Sequence, residues 1–391
     1  MGKYNFDELV NRSGTGCVKW DMYPGKLPLW VADMDFKTAP AIIEALDKRV
    51  QHGVFGYPLV PDAYFASIAS WFDRRHGWSG IKRENIIPTT GVIAAYSAAI
   101  KAVTTPGDKV IAMTPCYNQF FPAIRNNKCV LAENRLVYNE GGYTIDWEDL
   151  EAKAADAKAL LFCNPHNPAG RVWTREELLK VADICHRYGV FVISDEIHCE
   201  FTYPGHDYTP WAVLPGEYVK NSVSCISPTK AFNIAGIQIA NIFAADKDVY
   251  AKVDRAINDN ECCDVNVFGI TALMAAYDRS EDWLDALREY LYDNARTVFC
   301  YLEDRLPLVN AVPLEGTYLM WLDFRALLKD GEPLEGFCDR LSANFMDYGL
   351  VLSPGTIYGA AGEGFMRLNI ACPRSRLLAA LEVLEEAIHS L

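Results

Sequence analysis

Five short apolar runs in this chain each end in a residue able to do chemistry, and the five residue types complement one another. Ile86, Ile87 and Pro88 are followed by Thr89, Thr90 and then Gly91-Val92-Ile93, a glycine opening an apolar helical stretch. The run 109–115 is followed by Cys116 and Tyr117, and the run 159–163 by Asn164-Pro165-His166-Asn167-Pro168-Ala169-Gly170. The run 190–194 leads into Asp195-Glu196, and 222–226 into Ser227-Pro228-Thr229-Lys230. A helix start offers free N–H groups and a positive dipole end to an anion. An aromatic ring offers a stacking face, an amide a hydrogen-bond donor, a carboxylate a partner for a ring N–H, and an amine a nucleophile for a carbonyl. Taken singly, each has a plainer explanation. Asp195 could cap a helix, Tyr117 could be core, and Lys230 could be solvated. Lys230, however, follows an apolar strand and precedes the apolar stretch AFNIAGIQIANIF, poor surroundings for a surface lysine.

Those residues need elements to hold them. The runs 109–115, 159–165, 190–196 and 222–228 read as buried strands. Between two of them, residues 174–189 read as a helix. Thr174 and Glu177 form a capping box, apolar residues recur at helical spacing, and Gly189 ends it. Strand, helix, strand in this rhythm means parallel βαβ units. The expected fold class is therefore α/β, a mixed, mainly parallel doubly wound sheet between about residues 46 and 280. Ligands bind such sheets beyond the carboxyl ends of the strands, where the five groups collect. Together they suit pyridoxal 5′-phosphate, a flat heteroaromatic aldehyde that carries a phosphate and needs a protonated ring nitrogen. Residues 280–306 read as one long helix and 375–391 as an amphipathic helix packed on a small sheet. The expected division is an N-terminal segment (1–45), a large cofactor-binding domain (46–284) and a C-terminal part (285–391), the two ends building a smaller α+β domain.

Composition narrows the class further. The net charge is −14 over 391 residues, which argues against electrostatic binding to nucleic acid or an anionic membrane. No apolar run approaches the roughly 20 residues of a membrane span. The 12 cysteines include no C-x-x-C pair, so no zinc-ribbon site is expected and no metal is invoked. The polar start MGKYNFDELVNRSG lacks a signal-peptide core, so the thiols are expected reduced in the cytoplasm. No G-x-G-x-x-G follows a strand, which sets aside a nicotinamide cofactor.

With these motifs in order, the sequence resembles the fold-type-I pyridoxal-phosphate enzymes of the aspartate aminotransferase superfamily over essentially its whole length. Within it, residues 27–40 (LPLWVADMDFKTAP) and 54–58 (VFGYP) look like the MalY/PatB-type C–S lyases, the cystathionine β-lyases and cysteine desulfhydrases. The resemblance implies that Lys230 carries the cofactor covalently, Asp195 pairs with its ring nitrogen, Asn167 bonds its ring oxygen and Tyr117 stacks on it. Gly91, Val92 and Ile93 would hold the phosphate, helped by Ser227 and Thr229, and His198 would join the cofactor contacts. Arg367 would grip the substrate carboxylate, with Ala32 and Asn167 close by. Tyr57 would reach the cofactor phosphate of a neighbouring subunit, implying a homodimer with shared sites. One position departs from the aminotransferase pattern: Gln238 stands near the place where many of them put a phosphate-binding arginine. That favours a lyase, which expels a thiol from Cβ, over an aminotransferase of the same fold; a regulatory protein with residual lyase activity is the more distant reading.

Overall fold

The computed structural model describes residues 3–139, 142–259 and 264–391. Its central sheet has seven strands: β1 (Ile86–Thr89), β2 (Lys109–Thr114), β3 (Val130–Arg135), β4 (Ala159–Cys163), β5 (Phe191–Asp195), β6 (Ser222–Ile226) and β7 (Ala240–Phe243). The spatial order is β1-β7-β6-β5-β4-β2-β3. Strand β7 runs antiparallel to both of its neighbours, and the other pairings are parallel. The mixed, mainly parallel sheet expected from the sequence is thus present.

Strands β4, β5 and β6 are buried at every position, as helices on both faces of a parallel sheet require. The helix between β4 and β5 spans Arg175–Tyr188; Thr174 and Glu177 make the capping box, and Gly189 takes the left-handed conformation, φ 68°, that closes it. Strand β3 has no counterpart in the sequence reading. Its sequence, VLAENR, alternates between half-exposed and buried because it lies at the sheet edge. It also separates β2 from β4 along the chain, so the five strand ends are not strictly consecutive.

Past the sheet, Glu281–Arg305 is one continuous helix. It packs against both the preceding helix, Val267–Arg279, and the C-terminal helix, Arg374–His389. A second, antiparallel sheet orders Asn310–Ala311, Leu319–Asp323, Phe365–Asn369 and Ser353–Pro354. The N-terminal segment joins this end of the molecule, where Leu27 and Pro28 pair in parallel with Leu350 and Val351. One continuous hydrophobic core runs from the first helices, through one face of the large sheet, to the small sheet. The two sheets are held together by packed side chains as well as by chain connections.

Candidate active site

The carboxyl ends of β2, β4, β5 and β6 open on one edge of the sheet, where a cavity of about 310 Å³ lies. Ala32, Gly91, Val92, Ile93, Tyr117, Asn167, Asp195, His198, Thr229 and Lys230 all line it, together with Gln238. Each arrives by a local route. Gly91 caps the helix Val92–Val103 in extended backbone, leaving the first N–H groups free. His166 Nε2 bonds the Pro115 carbonyl at 2.8 Å, tying the Asn167 loop to the Tyr117 loop. The Asn164 N–H donates to the Asp195 carbonyl at 3.0 Å, tying that loop to the end of β5.

Lys230 points its Nζ at the Ala32 carbonyl, 2.5 Å away. Three residues on, Asn233 takes φ 53°, a conformation asparagine tolerates better than most side chains. Its amide accepts from the Met34 N–H at 3.0 Å and donates to the carbonyls of Met34 at 3.0 Å and Phe36 at 2.7 Å. The lysine loop is thereby pinned to the N-terminal strip. Arg367, on the small sheet, lies behind Asn167, outside the cavity wall. It is 4% exposed and donates to Asn167 Oδ1 at 3.1 Å and to the Trp30 carbonyl at 2.8 Å, over the Tyr358 ring at 5.0 Å. Its Nε has no partner.

Besides Arg367, two more of the expected residues stand outside the cavity wall. Ser227 lies behind Thr229. Its hydroxyl donates to the Ile239 carbonyl at 2.7 Å and sits 2.7 Å from Thr229 Oγ1, so it braces Thr229 instead of lining the cavity. Tyr57 is fully exposed, on an arm where Val54, Phe55 and Leu59 are also exposed, and it contributes nothing to the cavity of its own chain. The sequence reading had not singled out Thr90, Tyr96, Cys163, Ile197 or Ala235, which complete the wall. Tyr96 carried a legible signal: it falls four residues after Val92 and so shares that face of the helix. Tyr318, whose hydroxyl donates to the Ala32 carbonyl at 3.0 Å, carried none.

The electrostatics follow from burial. Asp195 is 3% exposed. Burial, with Glu196 beside it, pushes its carboxyl up to about 7 against the pull of the Ile197 N–H and of Lys230. Burial, then the charge of Arg367, lowers the Lys230 amine to about 8. Burial and the charges of Lys230 and Arg367 hold His198 well below the usual histidine range, so its ring is neutral, and its Nδ1 has no partner. Burial raises the Tyr117 hydroxyl to about 12. A buried carboxyl displaced upward beside an amine displaced downward, in one cleft, is the pattern of a catalytic site.

The family profile "Aminotransferase class I and II" matches residues 24–384. The chain belongs to that family. Among curated relatives, cystathionine beta-lyase PatB of Bacillus subtilis is 40% identical, with 98% of this chain and 100% of PatB covered. Protein MalY of Escherichia coli is 35% identical, with 99% of each chain covered. Among solved structures, cystalysin of Treponema denticola, whose crystals contain pyridoxal 5′-phosphate, superposes with a TM-score of 0.94 at 34% identity, covering 99% of each chain. The class I and II fold thus extends over the whole chain, and the Lys230 cavity lies at its sheet edge.

Proposed function

We propose that this chain is a pyridoxal 5′-phosphate-dependent carbon–sulfur β-lyase. It converts a cystathionine- or cysteine-type amino acid and water into a thiol, pyruvate and ammonia. The observation that carries the reading is the cavity: one cleft lined by Lys230, Asp195, Asn167, Tyr117 and a free helix start. Full-length similarity to cystathionine beta-lyase PatB supports lyase over aminotransferase chemistry, as does Gln238 at the cavity wall in place of an arginine.

The residues present fit the cofactor. The buried Asp195 carboxylate wants a cation, the His198 Nδ1 wants a partner, and the helix start at Gly91 wants an anion. Lys230 would hold the aldehyde carbon, Asp195 the ring nitrogen, Asn167 and His198 the ring oxygen side, and Tyr117 one ring face. Gly91, Val92, Ile93 and Thr229 would hold the phosphate, with Ser227 bracing Thr229. When bound, pyridoxal phosphate supplies the electron sink that acidifies the substrate Cα–H and lets a β-thiolate leave.

Arg367 would bind the substrate α-carboxylate through its two-pronged guanidinium, with Ala32 and Asn167 beside it. Once free of the cofactor, Lys230 is the general base: its amine takes the Cα proton, and its lowered pKa of about 8 keeps the neutral form accessible near physiological pH. Asp195 keeps the proton on the ring nitrogen. Tyr117 keeps its hydroxyl proton, because its pKa stands near 12. The exposed arm carrying Tyr57 supports a homodimer in which Tyr57 completes the partner's phosphate site. Ten described cysteines are free and eight of them buried, which supports a reducing cytoplasmic location. Among the described residues, no helix is long and apolar enough to cross a membrane.

The test uses purified holoenzyme with cystathionine or cysteine in the absence of any keto acid. Pyruvate and thiol are expected. Amino transfer to 2-oxoglutarate without pyruvate overturns the lyase reading. Borohydride should fix the cofactor to Lys230 and abolish the visible absorption band, and Lys230→Ala should lack that band from the start.

A further inference from the structure

We propose that Tyr318 is a positioning residue for Lys230, acting through the carbonyl of Ala32. The inference rests on the reading of Lys230 as the proton-transferring amine. It begins with the strip 30–34, which lies outside every strand and helix, so its carbonyls must find partners among side chains.

Each of those five carbonyls has one. Trp30 accepts from Ser353 at 2.9 Å and Arg367 at 2.8 Å. Val31 accepts from Asn369 at 2.6 Å, and Asp33 from Asn369 at 2.6 Å and Lys19 at 3.3 Å. Met34 accepts from Arg12 and Asn233, both at 3.0 Å. Ala32, at the centre, accepts from Lys230 at 2.5 Å and Tyr318 at 3.0 Å. The strip is anchored further by a buried ionic cluster: Asp35, 1% exposed, meets Arg12 at 2.8 Å, Arg376 at 3.1 Å and Lys19 at 3.2 Å. It forms a backbone rail whose carbonyl directions are set by side chains from both sheets.

A carbonyl oxygen has two lone pairs, and on Ala32 both are spoken for. Tyr318 is fully buried and held edge-on by Phe201 (centroids 5.0 Å, 90°) and by His198 (5.8 Å, 70°). Its hydroxyl, kept protonated by burial, is therefore a fixed donor that locks the direction of the Ala32 carbonyl. That carbonyl is the only hydrogen-bond acceptor of the Lys230 amine found among the described residues. When Lys230 acts as a neutral base, one N–H given to Ala32 restricts its lone pair to the two remaining tetrahedral positions. Without the Tyr318 hydroxyl the carbonyl can turn, and the lone pair loses its direction, although Tyr318 itself does not line the cavity.

Tyr318→Phe removes only the oxygen and leaves the ring packing. Tyr64→Phe is the matched control: it too removes a buried tyrosine hydroxyl bond, to Asn241 Oδ1 at 2.8 Å, at a residue that bonds neither Tyr318 nor the strip 30–34. Relative to that control, Tyr318→Phe holoenzyme is expected to lose roughly tenfold in kcat with KM within about twofold, the size of one orienting hydrogen bond. The kinetic isotope effect with α-deuterated substrate should rise, because proton transfer becomes slower relative to other steps. The apoprotein should form its borohydride-trappable adduct with pyridoxal phosphate several-fold more slowly. If phenylalanine at 318 prevents folding, Tyr318→Met, which also lacks the donor, takes the same measurements. An unchanged isotope effect with kcat matching the control overturns the role of Tyr318. Wild-type protein that traps no cofactor at Lys230 overturns instead the reading of the site on which the inference depends.

Discussion

Replacing Asp195 with asparagine should stabilise the protein without its cofactor and weaken the protein with it. Burial lifts the Asp195 carboxyl from an ordinary value of 3.8 to about 7. Each unit is about 1.36 kcal/mol, so ionising this group in the folded protein costs about 4 kcal/mol more than in the unfolded chain. Because the folded pKa is raised, the folded state keeps a proton that the unfolded chain has already released. The wild-type apoprotein therefore loses stability as pH rises from about 4 to about 7, and the loss is complete above that. Asparagine is nearly isosteric, can still accept from the Ile197 N–H that Asp195 bonds at 3.2 Å, and never ionises. At pH 8 the Asp195→Asn apoprotein should be the more stable by up to about 4 kcal/mol, and at pH 4 the two should coincide. With an unfolding entropy near 2.1 cal/mol/K per residue over 391 residues, that is a Tm difference of about 5 °C.

Adding pyridoxal phosphate reverses the order. A ring N–H⁺ opposite Asp195 favours the ionised carboxylate, so wild type recovers its penalty as binding energy and the variant does not. Loss of a charge-assisted bond worth about 1.5–3 kcal/mol should weaken cofactor binding roughly ten- to a hundredfold. The measurement is a set of thermal melts at pH 4, 6 and 8, with and without cofactor, alongside a fluorescence titration of the apoprotein. An apoprotein that gains nothing from Asp195→Asn at pH 8, or a cofactor that stabilises both proteins equally, refutes the reasoning.

Arg367→Lys should raise KM roughly ten- to a hundredfold with a smaller change in kcat, because an ammonium cannot serve Asn167, the Trp30 carbonyl and a substrate carboxylate with one planar fork; steady-state kinetics against cystathionine checks it. Gln238→Arg should tighten cofactor binding by about tenfold, since it adds a cation to a cavity wall where Gln238 already holds φ 57°; titration of the apoprotein reads it, and weaker binding contradicts the placement. Lys230→Ala and Tyr57→Ala, each nearly inactive alone, should recover about a quarter of wild-type activity when denatured together and refolded as mixed dimers, because half the dimers then carry one intact site of two. No recovery contradicts a site shared between subunits.

What the sequence made legible was what apolar patterning and side-chain chemistry encode. Strands β4, β5 and β6 are unbroken apolar runs because both faces are covered, and each ends in a residue whose type suits one part of the cofactor. Strand β3 escaped because an edge strand with Glu133, Asn134 and Arg135 reads as polar. Ser227 was expected at the phosphate because the family resemblance implies it. Its proton goes instead to the Ile239 carbonyl, a partner 12 residues away that no local pattern reveals. The strip 30–34 was legible only as a family resemblance. Its working groups are backbone carbonyls, which every residue possesses, and their donors come from as far away as Tyr318, Arg367 and Asn369.

The same distinction explains how the cavity suits its ligand. Burial, with Glu196 beside Asp195 and Arg367 near Lys230, displaces the carboxyl upward and the amine downward, to about 7 and about 8, so the charged form of each costs more than it would in water. A positive ring nitrogen removes the first penalty, and a covalent bond to carbon removes the second. Neither relief is available to a ligand lacking both a basic heteroaromatic nitrogen and an electrophilic carbonyl. Specificity for the cofactor thus follows from the cost of those two buried charges, while in the proposed reading specificity for the substrate rests on Arg367, which is buried and holds an unpartnered Nε. An uncharged amide in place of the substrate carboxylate cannot answer that buried charge. Amide analogues of cystathionine should therefore lose binding by at least the tenfold or more expected for Arg367→Lys, and an amide turned over as well as the acid would show that Arg367 serves some other end.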